Sequence, residues 1–336
     1  MKKLVALLLS VLMIMSFAAC TADSGNTTDE LKKITLCLDW TPNTNHTGFY
    51  VAQQQGYYEE AGIELTIVQP AENSATTMCA TNQAQFAIDA QDTLAANFVI
   101  DEPLEVTAVA ALLNHNTSGI MSRKGEGIDR PKGMENKVYA TWDSPIELAM
   151  LQHLVEKDGG DWSKVEENLI PNTITDEANA LKEKQTDSVW VFYGWGGINA
   201  ELNNVDVDFF DFASYDSVFD YYTPILISNN KYLEENPETA KAFLEATAKG
   251  YQYAIDNPKE AAQMLIEGDT TGALADSEDL VVASQEWISE QYIADGDKWG
   301  YIEADRWNGF YNWLWENELI DKEIPKDFGF TNDYLS

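Results

Sequence analysis

The sequence predicts an α/β protein of about two domains. Three observations carry that expectation. The chain has 336 residues, and a domain usually takes about 150. Hydrophobic residues make up 45% and aromatics 11%, enough for packed cores and too much for a disordered chain. From residue 34 onward, β-rich runs alternate with helical patterns, which implies parallel sheets covered by helices.

The elements read in order along the chain. Ile34–Leu38 is a β-rich run, Phe49–Tyr58 is helical and Ile63–Val68 is a second strand. Further strands are expected at Phe86–Ile88, Val106–Leu113, Val138–Thr141, Ser188–Tyr193 and Pro224–Ser228. Ser144-Pro145-Ile146-Glu147 places a capping serine, a proline at the first helical position and a glutamate that closes a capping box. That helix stops at Gly159-Gly160. Asn236-Pro237 and Asn257-Pro258 open two more helices, and the aromatic run Trp307–Trp315 must bury most of one face.

The N-terminus speaks to address. Met1-Lys2-Lys3 precedes an apolar run from Leu4 to Ala18 that is shorter than the ~20 residues a spanning helix needs. It reads as a signal peptide over residues 1–19. Ser16-Phe17-Ala18-Ala19-Cys20 resembles a bacterial lipobox, which makes Cys20 the expected lipidation site and residues 20–32 a polar, turn-prone tether. The formal charge is −35, and removing residues 1–19 takes away Lys2 and Lys3 but no acid, leaving −37. Such a chain repels phosphate backbones and anionic headgroups. Nucleic acid is therefore excluded as a partner, and a membrane is reached through the lipid alone. Cys37 and Cys79 have no metal-ligand spacing and read as small buried hydrophobes.

No Rossmann glycine pattern, P-loop, H-E-x-x-H or G-x-S-x-G occurs, and Asp295–Gly300 lacks the ligands of a calcium loop. The positive signal is positional. Trp40 follows the first strand, Trp142 follows Val138–Thr141, and Tyr193 and Trp195 end Ser188–Tyr193. In open α/β sheets ligands bind at the carboxyl ends of strands. These four aromatics predict an aromatic-lined cleft, and Asp39, Asn43, His46, Ser144 and Glu147 lie beside them in sequence. Aromatic walls with a few fixed polar groups suit a flat, nitrogen-bearing heterocycle.

The run Leu38-Asp39-Trp40-Thr41-Pro42-Asn43-Thr44-Asn45-His46-Thr47-Gly48 resembles the Thi5/NMT1-like family, in particular solute-binding lipoproteins of importers for thiamine pyrimidine precursors. The similarity continues through His115–Gly119, Trp142–Glu147, Phe192–Trp195, Tyr221–Pro224 and Ala248–Tyr251. The resemblance implies a type II periplasmic-binding-protein fold: two lobes closing by a hinge on a central cleft. Lobe 1 would comprise residues 33–120 and 222–336, and an inserted lobe 2 residues 121–221. The crossings would lie near Gly119–Arg123 and Tyr221–Thr223. It also implies an aminopyrimidine ligand, an ABC permease with its ATPase subunits as partners, an extracytoplasmic lipid-anchored address and no cofactor. Asp92, Asn116 and Tyr222 join the candidate ligand contacts on this reading.

The same family includes a pyrimidine-synthesising enzyme, which implies a cofactor-holding lysine and a histidine before a Thr-Leu-Ala-Ala stretch. Here Thr93-Leu94-Ala95-Ala96 follows Ile88-Asp89-Ala90-Gln91-Asp92, with neither residue, and no enzymatic activity is expected. The alternatives within the fold are receptors for riboflavin, a sulfonate, nitrate or another aromatic amine.

Overall fold

The computed structural model describes residues 31–70 and 74–336. The expected signal peptide, Cys20 and most of the tether lie outside those residues. Ten strands and thirteen helices are assigned among the described residues. The strands are β1 Lys32–Cys37, β2 Ile63–Val68, β3 Phe86–Asp89, β4 Val106–Ala111, β5 Ser118–Arg123, β6 Tyr139–Thr141, β7 Leu169–Pro171, β8 Ser188–Phe192, β9 Val207–Asp211 and β10 Ile225–Asn229. The helices up to the second crossing are α1 Thr47–Gln54, α2 Tyr57–Glu60, α3 Ala75–Ala80, α4 Gln91–Phe98, α5 Pro145–Lys157, α6 Ser163–Glu166, α7 Glu177–Lys182 and α8 Ile198–Leu202. After it come α9 Asn230–Glu235, α10 Pro237–Asp256, α11 Pro258–Gly268, α12 Glu278–Ile288 and α13 Ala304–Glu316.

The strands form two five-stranded sheets, ordered β2-β1-β3-β10-β4 and β7-β6-β8-β5-β9. Neither is purely parallel, which corrects the expectation from strand–helix alternation. β10 runs antiparallel to β3 and β4, and β5 runs antiparallel to β8 and β9. The reason lies in how the chain reaches them. β5 and β10 each arrive straight from the other sheet, across residues 112–117 and 212–224, with no helical crossover to bring them back in parallel. Gly119–Arg123, expected at the first crossing, instead lies within β5 and pairs on both edges. A boundary between residues 120 and 121 therefore cuts a strand.

Local chemistry accounts for the element ends. Gly56 sits at φ +78° between α1 and α2, so the predicted helix Phe49–Tyr58 breaks there. Helix α5 begins with Pro145 after Ser144, and the chain turns away at Gly159 with φ +77°. Helix α10 lays its apolar stripe, including Phe243, Leu244 and Tyr251, against α1 and α2. Gly250 makes that approach possible, because a Cβ there would meet the Gly48 carbonyl oxygen at 2.0 Å.

The aromatic helix α13 has a specific task. Phe310 stacks on Tyr221 at 4.2 Å, and Trp313 meets Phe219 edge-on at 4.9 Å and His153 at 5.7 Å. Tyr221 and Phe219 belong to the second crossing and His153 to α5, so one helix covers the joint between the two sheet-centred halves. Burying a side chain of this size contributes roughly 1.5–3 kcal/mol, so these aromatics stabilise the joint. His115 adds a polar tie at the first crossing. Its Nδ1 lies 2.7 Å from Asp220 on the second crossing and its Nε2 lies 2.7 Å from Asp295. The hydrogen bond to Asp220 leads in holding the imidazole above the usual histidine range. Cys37 and Cys79 are buried and unpaired, as expected, and burial pushes the Cys37 thiol up to about 11.

Candidate functional site

β1 ends at Cys37, and Asp39 and Trp40 follow immediately beyond its carboxyl end. The chain then tightens into a single 3₁₀ turn, Thr44–His46, that leads into α1. Asn43 builds that turn. Its Oδ1 accepts the Asn45 N–H at 2.9 Å and its Nδ2 donates to the Thr41 carbonyl at 3.1 Å. Three buried side chains clamp the turn from behind. Tyr251 donates to Asn45 O at 2.6 Å, Tyr292 to Thr44 O at 2.5 Å, and the Thr47 hydroxyl to Gln285 Oε1 at 2.5 Å. His46 is completely buried, with Nε2 2.8 Å from Asp39 Oδ1. Trp40 is the opposite case, 71% exposed.

The neighbouring strand β3 ends in Asp89, and Asp92 stands in the first turn of α4. Asp89 accepts the Ala90 N–H at 2.8 Å and the hydroxyls of Thr76 and Thr93. Burial raises the Asp89 carboxyl against those bonds, and the charge of Asp39 adds to the rise. Burial likewise pushes Asp92 up to about 6, with the charge of Asp89 adding to it. No described lysine or arginine is among the groups that shift either carboxyl. The charge of Asp39 thus acts on Asp89 and that of Asp89 on Asp92, while Asp39 itself is held by His46.

In the second sheet, β6 ends at Thr141, and Trp142 follows it, 54% exposed. Glu147 fixes this corner from inside. Its carboxylate accepts the Tyr139 hydroxyl at 2.6 Å, the Thr141 hydroxyl at 3.0 Å, the Trp142 N–H at 3.1 Å and the Ser144 N–H at 3.4 Å. Asp143 takes the left-handed conformation, φ +60°, with its N–H on the Thr141 hydroxyl. The Trp142 ring lies 5.8 Å from Trp190, which in turn meets Phe212 edge-on at 4.3 Å.

β8 ends at Phe192 and runs into a five-residue π turn, Tyr193–Gly197. Such turns are rare and frequently mark functional sites. Tyr193 is half-buried between Phe209 at 4.9 Å and Trp287 of α12 at 5.3 Å, and its hydroxyl donates to Glu201. Gly197 is required here, because a Cβ would come within 2.6 Å of the Tyr193 ring. Trp195 packs against the cluster formed by Tyr50, Leu265, Leu274 and Val281. Those four come from the first half of the chain's architecture, so Trp195 is a contact between the halves. Ser284 of α12 reinforces it, donating to the Gly194 carbonyl and meeting the Thr44 hydroxyl at 2.7 Å.

The twelve residues singled out from sequence therefore separate by position. Asp39, Trp40 and Trp142 follow the carboxyl ends of strands with exposed surface, and the part-buried Asp92 stands in the first turn of α4. Tyr193 and Trp195 line the seam between the halves. Asn43, His46, Ser144 and Glu147 sit behind the exposed residues and hold them. Asn116 and Tyr222 belong to the crossings. Asn116 donates to Phe219 O at 2.9 Å and accepts from Ser118 N–H and hydroxyl at 2.9 and 2.7 Å. Tyr222 accepts the Glu303 N–H at 2.8 Å, with Arg306 4.9 Å over its ring. Asn116 and Tyr222 thus each have partners within the chain. Sequence reasoning passed over Asp89 and Trp190. Asp89 ends a strand, so the positional rule that picked Trp40 reaches it too. Trp190 lies within a strand and carries no such signal.

A surface depression of ≈490 Å³, lined by Asn114, Asp295, Tyr301 and Arg306 among others, lies beside the first crossing and contains none of the twelve. Among the described residues no group of histidines, cysteines and acids could hold a metal, and no helix is long and apolar enough to cross a membrane.

Comparisons with known proteins agree with this arrangement. A formylaminopyrimidine-binding protein of Halalkalibacterium halodurans is 25% identical over 337 residues, covering 98% of both chains. A 4-amino-5-hydroxymethyl-2-methylpyrimidine phosphate synthase of Saccharomyces cerevisiae is 25% identical over 248 residues, covering 70% of this chain and 71% of that one. Among solved structures, the periplasmic aliphatic sulphonate-binding protein SsuA of Escherichia coli superposes with a TM-score of 0.65 at 10% identity, over 87% of this chain and 95% of that one. The two sheets with their double crossing are therefore the fold of periplasmic solute-binding proteins, as the sequence resemblance implies. The NMT1/THI5 like profile matches residues 43–261, which run from the cap of the 3₁₀ turn to the first turn of α11 and include both crossings. With well over half of the sequence so matched, the chain belongs to the NMT1/THI5-like family.

Proposed function

We propose that this protein is an extracytoplasmic solute-binding lipoprotein that captures an aminopyrimidine precursor of thiamine and hands it to an ABC importer, its permease and ATPase subunits. On this reading the two halves are lobes that close on the ligand about the crossings, and no covalent chemistry occurs. One observation carries the choice of ligand. Asp39 adjoins the exposed Trp40 and its charge acts on Asp89, whose charge acts in turn on Asp92, with no cation among the groups that shift Asp89 or Asp92. A flat ring needs a face to stack on, and exocyclic amines need acceptors. The relative named as a formylaminopyrimidine-binding protein, similar along nearly its whole length, supports the same ligand class. An anion receptor on this fold would have to place its ligand beside these carboxylates, at a cost that grows as water is excluded.

A thermal-shift screen of the body from residue 31 tests this. An aminopyrimidine at a hundred times its dissociation constant should add about 2.7 kcal/mol of stability, while sulfonates and nitrate should shift nothing at millimolar concentration. Micromolar binding of either anion would overturn the pyrimidine assignment.

The anchor needs its own test. Cys20 with its polar tether is the residue proposed to carry the lipid. Cys20→Ala is expected to leave the melting temperature of the folded body unchanged and to release the protein from the membrane fraction. A variant that stays in that fraction after processing removes the lipoprotein reading.

A further inference from the structure

We propose that His46 is a positioning residue for ligand recognition: its buried imidazole holds the Asp39 carboxylate with one oxygen bare, so that the site demands an N–H donor. The inference rests on the pyrimidine-receptor reading and adds what in this chain would enforce its selectivity.

The tautomer follows from the hydrogen-bond network. The Asn43 backbone N–H donates to His46 Nδ1 at 3.2 Å, so that nitrogen is the acceptor and the proton sits on Nε2. Nε2–H then donates to Asp39 Oδ1 at 2.8 Å. The opposite tautomer would set an N–H against the Asn43 N–H and a lone pair against the carboxylate. Asp39 Oδ2 enters no hydrogen bond among the described residues. Exposure divides the pair the same way, with the imidazole at 0% and the Asp39 side chain at 37%.

Nor can the imidazole swing away. It rides on the turn that Asn43 caps and that Tyr251 of α10, Gln285 of α12 and Tyr292 of the turn after α12 pin in place. Asp39 directly precedes Trp40, and both side chains are exposed at the end of β1, so we take the indole as the platform and the carboxylate as the group that meets the ring's edge. There a bare Oδ2 accepts from an amine and offers nothing to a methyl group. A hydrogen bond to a charged acceptor discriminates by about tenfold to a hundredfold when one partner is lost. His46 supplies the fixed geometry, and Asp39 makes the contact.

The test uses the wild type, His46→Gln and His46→Phe. Each is titrated calorimetrically with 4-amino-5-hydroxymethyl-2-methylpyrimidine and with the analogue carrying a 4-methyl group in place of the amine. The wild type should prefer the amine by about tenfold to a hundredfold. His46→Phe should lower that ratio to about threefold or less, and His46→Gln, whose amide N–H can replace Nε2–H, should keep it above about tenfold. An unchanged ratio in the folded His46→Phe protein makes His46 a structural brace and overturns the proposal. Should His46→Phe not fold, the ¹⁵N spectrum of the wild-type imidazole at neutral pH decides: a proton on Nε2 supports the proposal and a proton on Nδ1 overturns it. Failure of the wild type to bind either compound overturns the pyrimidine reading and the selectivity with it. Binding with the wrong ratio overturns only the role of His46.

Discussion

Trp40→Ala is expected to weaken binding of an aminopyrimidine roughly fivefold to a hundredfold or more, the loss from removing an aromatic platform of ~1–3 kcal/mol. The ligand-free unfolding midpoint should hardly move. Trp40 is 71% exposed, so truncation removes little that the folded chain packs against. Trp195→Ala should behave in the opposite way. Its half-buried indole packs against the cluster that includes Tyr50, Leu265 and Val281, so its loss falls on stability, by about 1–3 kcal/mol. Calorimetry with ligand and denaturant melting without it separate the two. A Trp40→Ala protein with normal affinity and a lowered midpoint would remove the stacking platform from the proposal.

Glu147→Ala should be the most destabilising single change at the site. The residue is 4% exposed, and its carboxylate receives two hydroxyls and two backbone N–H groups. Alanine leaves the Tyr139 and Thr141 hydroxyls and the Trp142 N–H without an acceptor in a place water reaches poorly. At about 1–3 kcal/mol for each orphaned donor, the loss is at least ~3 kcal/mol. Urea unfolding measures it directly. Glu147→Gln should lose less, because one oxygen still accepts. A Glu147→Ala midpoint within experimental error of the wild type would mean that the corner is held by something other than this carboxylate. Binding should fall as well, because Trp142 loses the group that fixes its backbone.

Much of the element order was legible, because its signals are local. Proline after a serine or asparagine marks where α5, α10 and α11 begin, and a run of β-branched residues marks β1 and β2. Three strands were missed: β5, β7 and β9. β5 reads Ser-Gly-Ile-Met-Ser-Arg and β7 is only Leu-Ile-Pro, so neither has the composition that identifies a strand. They are strands because their partners make them so. Strand direction was misread for the same reason, since the sign of β10 depends on where the chain has been rather than on its own residues. At the site, position along the chain found the exposed aromatics. It could not tell a residue that faces a ligand from one that holds such a residue. Glu147 and His46 look like ligand groups in sequence, and only the structure shows that both are buried and hydrogen-bonded to neighbouring residues of the chain.

The place of β10 between β3 and β4 also sets the order in which the molecule can be built. β5 through β9 lie in one continuous stretch, residues 118–211, so the second sheet can complete itself as soon as that stretch has been made. The first sheet cannot. β3 and β4 do not pair with each other, and each waits for a strand that ends at residue 229. Until then β4 has no partner in its sheet and β3 shows an open edge, the kind of surface that pairs with whatever strand comes by. Pairings between such distant residues form late and slowly, which lengthens the time those edges stay open. An interruption of synthesis before β10 would release a chain with a finished second half and an unclosable first one. The half that the chain begins first is the one it finishes last.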